Sequence, residues 1–306
     1  MTLHAPWHPG ERALHDQLGV RERMAEIGPR VIREFMPAQH TELFEKLPFM
    51  LLGAVDGQGD PWASLVHGRP GFVRALDDRT LAIAARPSDE DPSAAGLSPG
   101  AALGLLGLEP HTRRRNRVNG HVAALVEPRG ARPPGFVVAV EHSFGNCPKY
   151  IAPRRLAFEL RPAPADQVRS ATIRTEALDA HARALITAAD TLFVASYVDL
   201  PEGRQVDVSH RGGPPGFVQI DAAGTLTIPD YAGNRFFNTF GNISLQPRVG
   251  LLFVDFVRGE LVQLSGDAEL LLDPDAPRVR ALPGAERAWT VRPRVVVRRA
   301  APVREG

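Results

Sequence analysis

The chain has 306 residues, of which 43% are hydrophobic and 23% are charged. This is enough apolar material for about two domains, or for one domain built twice, and it excludes a disordered or collagen-like chain. Lysine and arginine number 36 against 35 for aspartate and glutamate, which provides no global positive field for nucleic acid or an acidic membrane. Any anionic ligand must therefore be held by local groups.

The cysteine content and the chain start bear on the cellular compartment. Cys147 is the only cysteine, which excludes an intramolecular disulfide and a cysteine-rich zinc site. No apolar run approaches the roughly 18 residues of a membrane span. Residues 1–10 contain histidine, proline and tryptophan where a signal peptide has a basic and then an apolar stretch. We expect a cytoplasmic protein that does not contact membranes.

The first 47 residues carry helical patterns. Leu14, Leu18 and Met24 recur near helical spacing, which predicts one helix over 11–27 that ends at Gly28-Pro29. Thr41 is a suitable N-cap for a short helix over 41–47. We therefore expect an N-terminal helical segment over 1–47.

The pattern then changes to short apolar runs separated by glycine, proline and aspartate, which is typical of strands and turns. A further helix is predicted over 175–189, because Leu178, Leu185 and Ala189 lie on one stripe, and strands resume at Thr191. The predicted strands before that helix are 49–55, 62–67, 80–84, 102–108 and 116–125.

The strand-rich part of the chain matches itself at a nearly constant offset. Strand proteins share Gly-Phe-Val-like turns, but a match across several separate strands favours an internal duplication. The fold class we predict is mainly β with flanking helices (β+α), with copy one over 48–165, a linking helix over 166–190 and copy two over 191–306. The matches are Ser64 with Ser209, Pro70-Gly71-Phe72-Val73 with Pro215-Gly216-Phe217-Val218 and Thr80-Leu81 with Thr225-Leu226 at offset 145, and Gly104-Leu105-Leu106 with Gly250-Leu251-Leu252 and Gly120 with Gly266 at offset 146.

Several standard sites are excluded by their missing motifs. The chain has no Gly-x-Ser-x-Gly, no Gly-x4-Gly-Lys-Ser/Thr and no His-Glu-x-x-His, and the glycines between 96 and 107 do not form a dinucleotide-binding fingerprint. His4 and His8 have metal-ligand spacing, but Pro6 breaks the helix that would align them. We predict no metal site.

Two segments of copy two can hold an anion. Ser209 and His210 cannot easily form a catalytic dyad, because neighbouring side chains of a strand point to opposite faces. Ser209 and Arg211 share a face beside two glycines and can bind a polar ligand, the alternative being a solvated strand end. In residues 233–239, Arg235 is a forked phosphate donor near the start of a predicted helix, and Asn234, Asn238 and Thr239 can bond a polyol chain. Phe236 and Phe237 are expected in the core.

Two segments of copy one have related chemistry. Arg113, Arg115 and Arg117 alternate onto one strand face, which favours a small anion or a solvated face over nucleic acid. Residues 142–150 combine Asn146, Cys147 and Lys149, and the lysine can place a cation against a phosphate or an electron-rich ring edge. Cys147 is either reactive beside that cation or a buried structural thiol.

At these residues the chain resembles the pyridoxamine 5'-phosphate oxidase-like FMN-binding split β-barrel superfamily, over about residues 40–275. Copy two is similar to that family in its segments 207–213, 226–235 and 246–253, and copy one in its segments 117–120 and 144–149. The single-barrel relatives carry both sets of motifs in one chain that dimerises around two FMN molecules. Here the sets are divided, since Gln263 stands where Arg117 sits in copy one and no Cys-Pro-Lys follows it.

The resemblance implies two split β-barrels that form an internal pseudo-dimer with one composite FMN at their interface. The second, equivalent pocket is expected to be inactive, because the acidic stretch 86–96 replaces the phosphate loop and repels a phosphate. The residues expected to bind FMN are Ser209, His210, Arg211, Asn234, Arg235, Asn238 and Thr239 of copy two, and Arg115, Arg117, Asn146, Cys147 and Lys149 of copy one.

The function that this resemblance implies is that of an FMN-dependent oxidoreductase with a small-molecule substrate or electron donor. No catalytic residue is assigned, and the residues that hold the substrate phosphate in pyridoxamine 5'-phosphate oxidase itself are not found. Two alternatives stay open: a non-catalytic flavin or electron carrier that serves a partner reductase, and a barrel that has exchanged FMN for haem or a deazaflavin. Pairing into a homodimer also stays open.

Overall fold

The structure is a computed structural model that describes residues 6–130, 133–158 and 172–305. It opens with three helices, α1 (Pro9–Gln17), α2 (Arg21–Val31) and α3 (Ala38–Lys46). The single helix expected over 11–27 was wrong, because the chain turns at Gly19, whose φ is +66°. Its expected end was also wrong, because Pro29 removes only one backbone donor near the helix end and α2 continues to Val31. α3 begins before Thr41, with Pro37 as its N-cap.

Copy one forms one antiparallel sheet of seven strands. Its strand order is β2-β1-β5-β6-β7-β4-β3, and two short 3-10 helices, Pro92–Gly96 and Pro110–Thr112, lie in its connections. The five predicted strands are all present, within two residues of the expected bounds. The strands are β1 (Phe49–Val55), β2 (Pro61–His67), β3 (Val73–Asp77), β4 (Thr80–Ile83), β5 (Ala102–Glu109), β6 (Arg114–Val126) and β7 (Gly135–Gly145).

The segment between the copies contains β8 (Leu156–Phe158), β9 (Ile173–Thr175) and α4 (Ala180–Ala188). The expected helix over 175–189 is shorter than predicted, because Asp179 caps it by accepting a hydrogen bond from the amide of Ala182 at 2.7 Å. The proposed boundary between copy one and the linking helix, at 165/166, lies outside the described residues.

Copy two forms a second antiparallel sheet, of eight strands, in which β9 pairs with β16 beside the main path. The main path follows the order β11-β10-β14-β15-β16-β13-β12, which is the order of copy one with each strand replaced by its counterpart. Its elements are β10 (Thr191–Leu200), β11 (Gly203–Gly212), β12 (Gln219–Ile220), β13 (Leu226–Asp230), α5 (Asn238–Leu245), β14 (Arg248–Asp255), β15 (Glu260–Leu271), α6 (Pro277–Arg280) and β16 (Arg287–Ala300). A final strand, β17 (Val303–Glu305), pairs with β8.

The two sheets pack on each other across an apolar interface. Each copy has its own hydrophobic core, and a third cluster joins them, with Leu51 and Leu106 of copy one beside Phe193 and Leu252 of copy two. The backbones approach closely at Gly250, where an added Cβ would lie 2.1 Å from the carbonyl oxygen of Pro61. The counterpart Gly104 makes the matching approach to Val208. The fold is therefore a duplicated split-barrel β+α fold with a pseudo-twofold arrangement of its halves.

None of the helices in the described ranges combines the length and apolar character that crossing a membrane requires.

Candidate functional site

A cleft at the interface of the two copies encloses about 890 Å³, part of it open to solvent. Copy two contributes the end of β11, the loop after β13 and the start of α5, and copy one contributes β6 and the segment after β7. The lining includes all the residues that the sequence predicts: Arg115, Arg117, Asn146, Cys147, Lys149, Ser209, His210, Arg211, Asn234, Arg235, Asn238 and Thr239. That these residues bind a cofactor stays a prediction.

The loop that leads into α5 is shaped by two left-handed residues, Arg235 at φ +62° and Phe237 at φ +60°. Asn234 stabilises the turn by accepting a hydrogen bond from the amide of Phe236 at 3.1 Å. The N-cap of α5 makes no side-chain hydrogen bond, so the first amides of the helix, at Asn238 and Thr239, add partial positive charge to the cleft wall. Phe236 and Phe237 are buried, as expected.

Arg117 connects the two copies in the floor of the cleft. Its Nη1 atom donates to Oδ1 of Asp207 at 2.8 Å and to Oδ1 of Asn238 at 3.0 Å, and its Nη2 atom donates to the hydroxyl of Ser209. Burial lowers the pKa of Arg117, and the charge of Asp207 opposes that shift. Arg117 therefore holds Ser209 and Asn238 in place as well as lining the cleft.

The Asp207 carboxylate is the acceptor at the centre of this network. Besides Arg117, it accepts hydrogen bonds from Nδ2 of Asn119 at 2.7 Å and from Nδ2 of Asn242 at 3.0 Å. Asn242 also donates to the hydroxyl of Ser196 at 3.0 Å. A buried carboxylate needs such donors on all sides to offset its lost hydration.

Arg115 and His210 form a second contact between the copies. Nη1 of Arg115 lies 2.9 Å from Nδ1 of His210, and Nη2 donates to the carbonyl of Cys147. Burial, and then the charges of Arg115 and Arg211, hold the pKa of His210 well below its usual range. His210 is therefore neutral and accepts the hydrogen bond. Burial lowers the pKa of Arg115 to about 10, which leaves the guanidinium charged at neutral pH.

Arg211 is anchored within copy two. Its Nη1 atom lies 2.8 Å from Oδ1 of Asp230, and Nε of Arg287 donates to the other oxygen of that carboxylate at 3.0 Å. Among the described residues that line the cleft, Asp230 is the only acidic one, against six basic residues: Arg115, Arg117, Lys149, Arg211, Arg235 and Arg287. Two carboxylates outside the lining, Asp207 beside Arg117 and Glu286 beside Arg235 and Arg287, offset part of this positive charge but not all of it. The cleft is therefore an electropositive site.

Four buried nitrogen atoms of the lining have no partner among the described residues: Nε of Arg115, Arg117 and Arg211, and Nδ2 of Asn146. Buried donors are nearly always hydrogen-bonded in folded proteins, so unpaired ones in a cleft mark where a ligand with acceptor atoms fits. The sites for these acceptors lie on both copies.

Several residues of the site were not predicted from the sequence. The rings of Tyr150 and Tyr231 stack with centroids 5.2 Å apart, and the Tyr150 hydroxyl donates to the carbonyl of Ala232 at 3.1 Å. Both tyrosines lie in segments that the sequence analysis had already assigned to the site, and this placement could have predicted that they line the cleft. Glu11 of α1 also reaches the site, accepting a hydrogen bond from Asn238 at 2.5 Å, and no motif pointed to it.

Cys147 and Lys149 lie on the copy-one side of the opening. Cys147 is half-buried and Lys149 is exposed, and both line the cleft. The lysine therefore lies where a cation can contact an anionic ligand from the solvent side.

The described chain thus defines a duplicated split-barrel protein with one polar, cationic cleft between its halves. A family model described as pyridoxamine 5'-phosphate oxidase matches it twice, over residues 36–169 and 178–301. The chain belongs to the pyridoxamine 5'-phosphate oxidase family, as a duplicated member. No curated protein matches it.

Three solved structures of similar proteins each align with less than half of the chain. An FAD-binding protein from Mesorhizobium loti is 17% identical over 42% of this chain and 99% of its own, with a TM-score of 0.30. An FMN-binding protein from Syntrophomonas wolfei is 14% identical over 42% and 96%, with a TM-score of 0.27. The heme storage protein HutZ of Vibrio cholerae is 14% identical over 41% and 97%, with a TM-score of 0.28.

Proposed function

We propose that the cleft binds one FMN and that the protein is an FMN-dependent oxidoreductase acting on a small-molecule substrate or electron donor. The observation that carries this proposal is the set of buried donors on Arg115, Arg117, Arg211 and Asn146 that have no partner among the described residues. These four residues, from both copies, line one electropositive cleft. A flavin mononucleotide has the matching chemistry, with an anionic phosphate, a polyol chain and a ring edge rich in acceptors. Family membership supports the same choice.

The residues of copy two suit the phosphate and the polyol chain. Arg235 supplies a forked guanidinium, and the uncapped start of α5 supplies amides and partial positive charge. Asn234, Asn238 and Thr239 supply hydrogen-bonding side chains around them. This division leaves the ring system for the side of the cleft that copy one lines.

The residues of copy one suit the ring system and its negative charge. A bound flavin supplies hydride and single-electron transfer. Lys149 and Arg115 are cations for which the described residues provide no carboxylate partner within 4.0 Å. They would hold the ring of a bound flavin by its electron-rich edge and would favour negative charge there. The open side of the cleft at Lys149 admits a second reactant. Cys147, which forms no disulfide, fits a cytoplasmic location.

Two other functions use the same fold, and one spectrum separates all three. The absorbance spectrum of freshly purified protein is recorded before and after reduced nicotinamide adenine dinucleotide is added under nitrogen. The oxidoreductase shows a flavin spectrum that bleaches with the donor. A flavin spectrum inert to donors supports the electron carrier. A Soret band, or the absorbance band of a deazaflavin, supports the exchange of FMN for haem or a deazaflavin.

A further inference from the structure

The duplication gives the cleft a counterpart on the other side of the interface. Because the two sheets have the same strand order and register, the cleft residues that lie on strands can each be matched with one residue of the other copy. The amide of Asn146 donates a hydrogen bond to the carbonyl of Arg115, so these two residues lie opposite each other at the end of β6. In copy two, the residue that corresponds to Arg115 is Leu261, and Arg299 lies opposite it. The matches are Ser209 with Ser64, Arg117 with Gln263, and Asn146 with Arg299.

At this second position the three counterparts are all bonded to one carboxylate, that of Asp91. It accepts hydrogen bonds from the hydroxyl of Ser64, from the guanidinium of Arg299, and from Nε2 of Gln263 at 3.1 Å. Gln263 in turn accepts from Nε of Arg299 at 2.9 Å. The side chains of Asp91 and Arg299 are 1% and 12% exposed. The cluster is therefore a buried ion pair that connects copy one to copy two.

Arg299 and Asn146 account for the difference between the two positions. Asn146 is short, and its Nδ2 atom has no partner in the described chain. Arg299 is longer and extends across the interface to Asp91. The 3-10 helix Pro92–Gly96, which Asp91 caps by accepting a hydrogen bond from the amide of Ser93, packs closely on β1 of the same copy, since an added Cβ at Gly96 would lie 2.8 Å from the carbonyl oxygen of Val55.

We propose that the counterpart is a second anion site, closed by an internal ligand: the Asp91 carboxylate occupies it and joins the copies through Arg299. This goes beyond the function proposed above, because the closure rests on contacts within the chain and not on the identity of the cofactor in the open cleft. A buried guanidinium whose carboxylate is removed keeps its need for an anion. The empty site should therefore accept a small carboxylate from solution.

The test is chemical rescue of Asp91→Gly by acetate, with thermal unfolding as the readout. We expect the variant to melt about 5 °C or more below the parent, and acetate to recover at least half of that loss along a saturable curve. Sodium chloride at the same ionic strength should not restore the melting temperature. Asp89→Gly, which removes an exposed carboxylate of the same loop, is the control and should not respond to acetate beyond the parent. An acetate response equal to that of the parent overturns the proposal.

A second pair of variants decides the matter if Asp91→Gly does not fold. Asp91→Asn keeps the size of the side chain and can still accept from the amide of Ser93, which lies 3.0 Å from Oδ1. Its effect is compared with that of Arg299→Gln and of the double variant. If the charges of Asp91 and Arg299 interact directly, the melting temperature of the double variant should fall clearly less than the sum of the decreases in the two single variants. Strictly additive losses overturn the proposal.

Discussion

Nη1 of Arg117 lies 2.8 Å from Oδ1 of Asp207, with the two side chains 3% and 7% exposed. Arg117 is in β6 of copy one and Asp207 is in β11 of copy two. This buried ion pair fixes the position of β6 relative to β11. The same arginine also holds Ser209 and Asn238 in the cleft. One contact therefore contributes both to the assembly of the halves and to the geometry of the site.

Removing the arginine of this pair should destabilise the whole protein. Arg117→Ala leaves Asp207 buried with one cationic partner fewer, which costs about 3–5 kcal/mol of unfolding free energy. Equilibrium unfolding in urea measures the loss. Arg204→Ala breaks an ion pair with Asp199 whose side chains are 36% and 57% exposed, and as the control it should cost no more than about 1 kcal/mol. Similar small losses in both variants would contradict the role given to Arg117.

Arg235 should carry a measurable share of the FMN affinity. Arg235→Ala is expected to weaken binding by about 1.5–3 kcal/mol, because it removes a charge-assisted contact to the phosphate. Flavin fluorescence quenching in a titration gives the dissociation constant. Arg292→Ala changes a β16 arginine whose side chain is 75% exposed and should leave the constant unchanged. An unaltered affinity in Arg235→Ala would place the phosphate elsewhere.

Glu11 should make the stability depend on pH. Burial, and then the charge of Asp207, raise the pKa of Glu11 to about 8, whereas in the unfolded chain it is about 4.3. Between these two pH values the folded state holds a proton on Glu11 that the unfolded state has released, so the free energy of unfolding falls as the pH rises. The stability that Glu11 provides is therefore complete below about pH 4 and is lost by about pH 8.

Glu11→Gln removes that titration and leaves the other groups in place. The stability of the variant relative to the parent should rise with pH by up to about 1.4 kcal/mol per unit in this window, and then level off above it. Urea unfolding at several pH values provides the comparison. Glu22→Gln, on an exposed position of α2, is the control, and its difference from the parent should not vary with pH. A difference in unfolding free energy between Glu11→Gln and the parent that does not change with pH would contradict the raised pKa of Glu11.

The close approach of the backbones at Gly250 should tolerate no side chain. Gly250→Ala places a methyl group 2.1 Å from the carbonyl oxygen of Pro61, and separating the sheets to make room should cost at least about 1–3 kcal/mol. Gly57→Ala is the matched control, because an added Cβ there meets no atom within 4 Å, and its effect should stay within about 0.5 kcal/mol. Equal stability of the two variants would show that the interface is not packed as described.

The strands and the duplication could be predicted because local patterns determine them. β1 has the expected bounds, β10 begins at the expected Thr191, and the offset between the copies appears as identical strand order in the two sheets. The helix break at Gly19 was missed because apolar periodicity continues across it. A single left-handed glycine changes the direction of the chain without interrupting that pattern.

Many of the residues that line the cleft could be predicted, but the contacts that several of them make could not. Arg117 was expected to face the cofactor, and its ion pair with Asp207, which is 90 positions away along the chain, does not appear in any local pattern. Glu11 contacts Asn238 across 227 positions. Such contacts arise from the packing of distant segments, and periodicity and spacing hold no information on them.

The number of flavins bound per chain tests the central claim most directly. The purified protein, stripped of any cofactor, is titrated with FMN by isothermal calorimetry at a protein concentration well above the dissociation constant. A composite cleft with a closed counterpart predicts one FMN per 306-residue chain. Two equivalent sites per chain would contradict the account, because each copy would then hold a complete site.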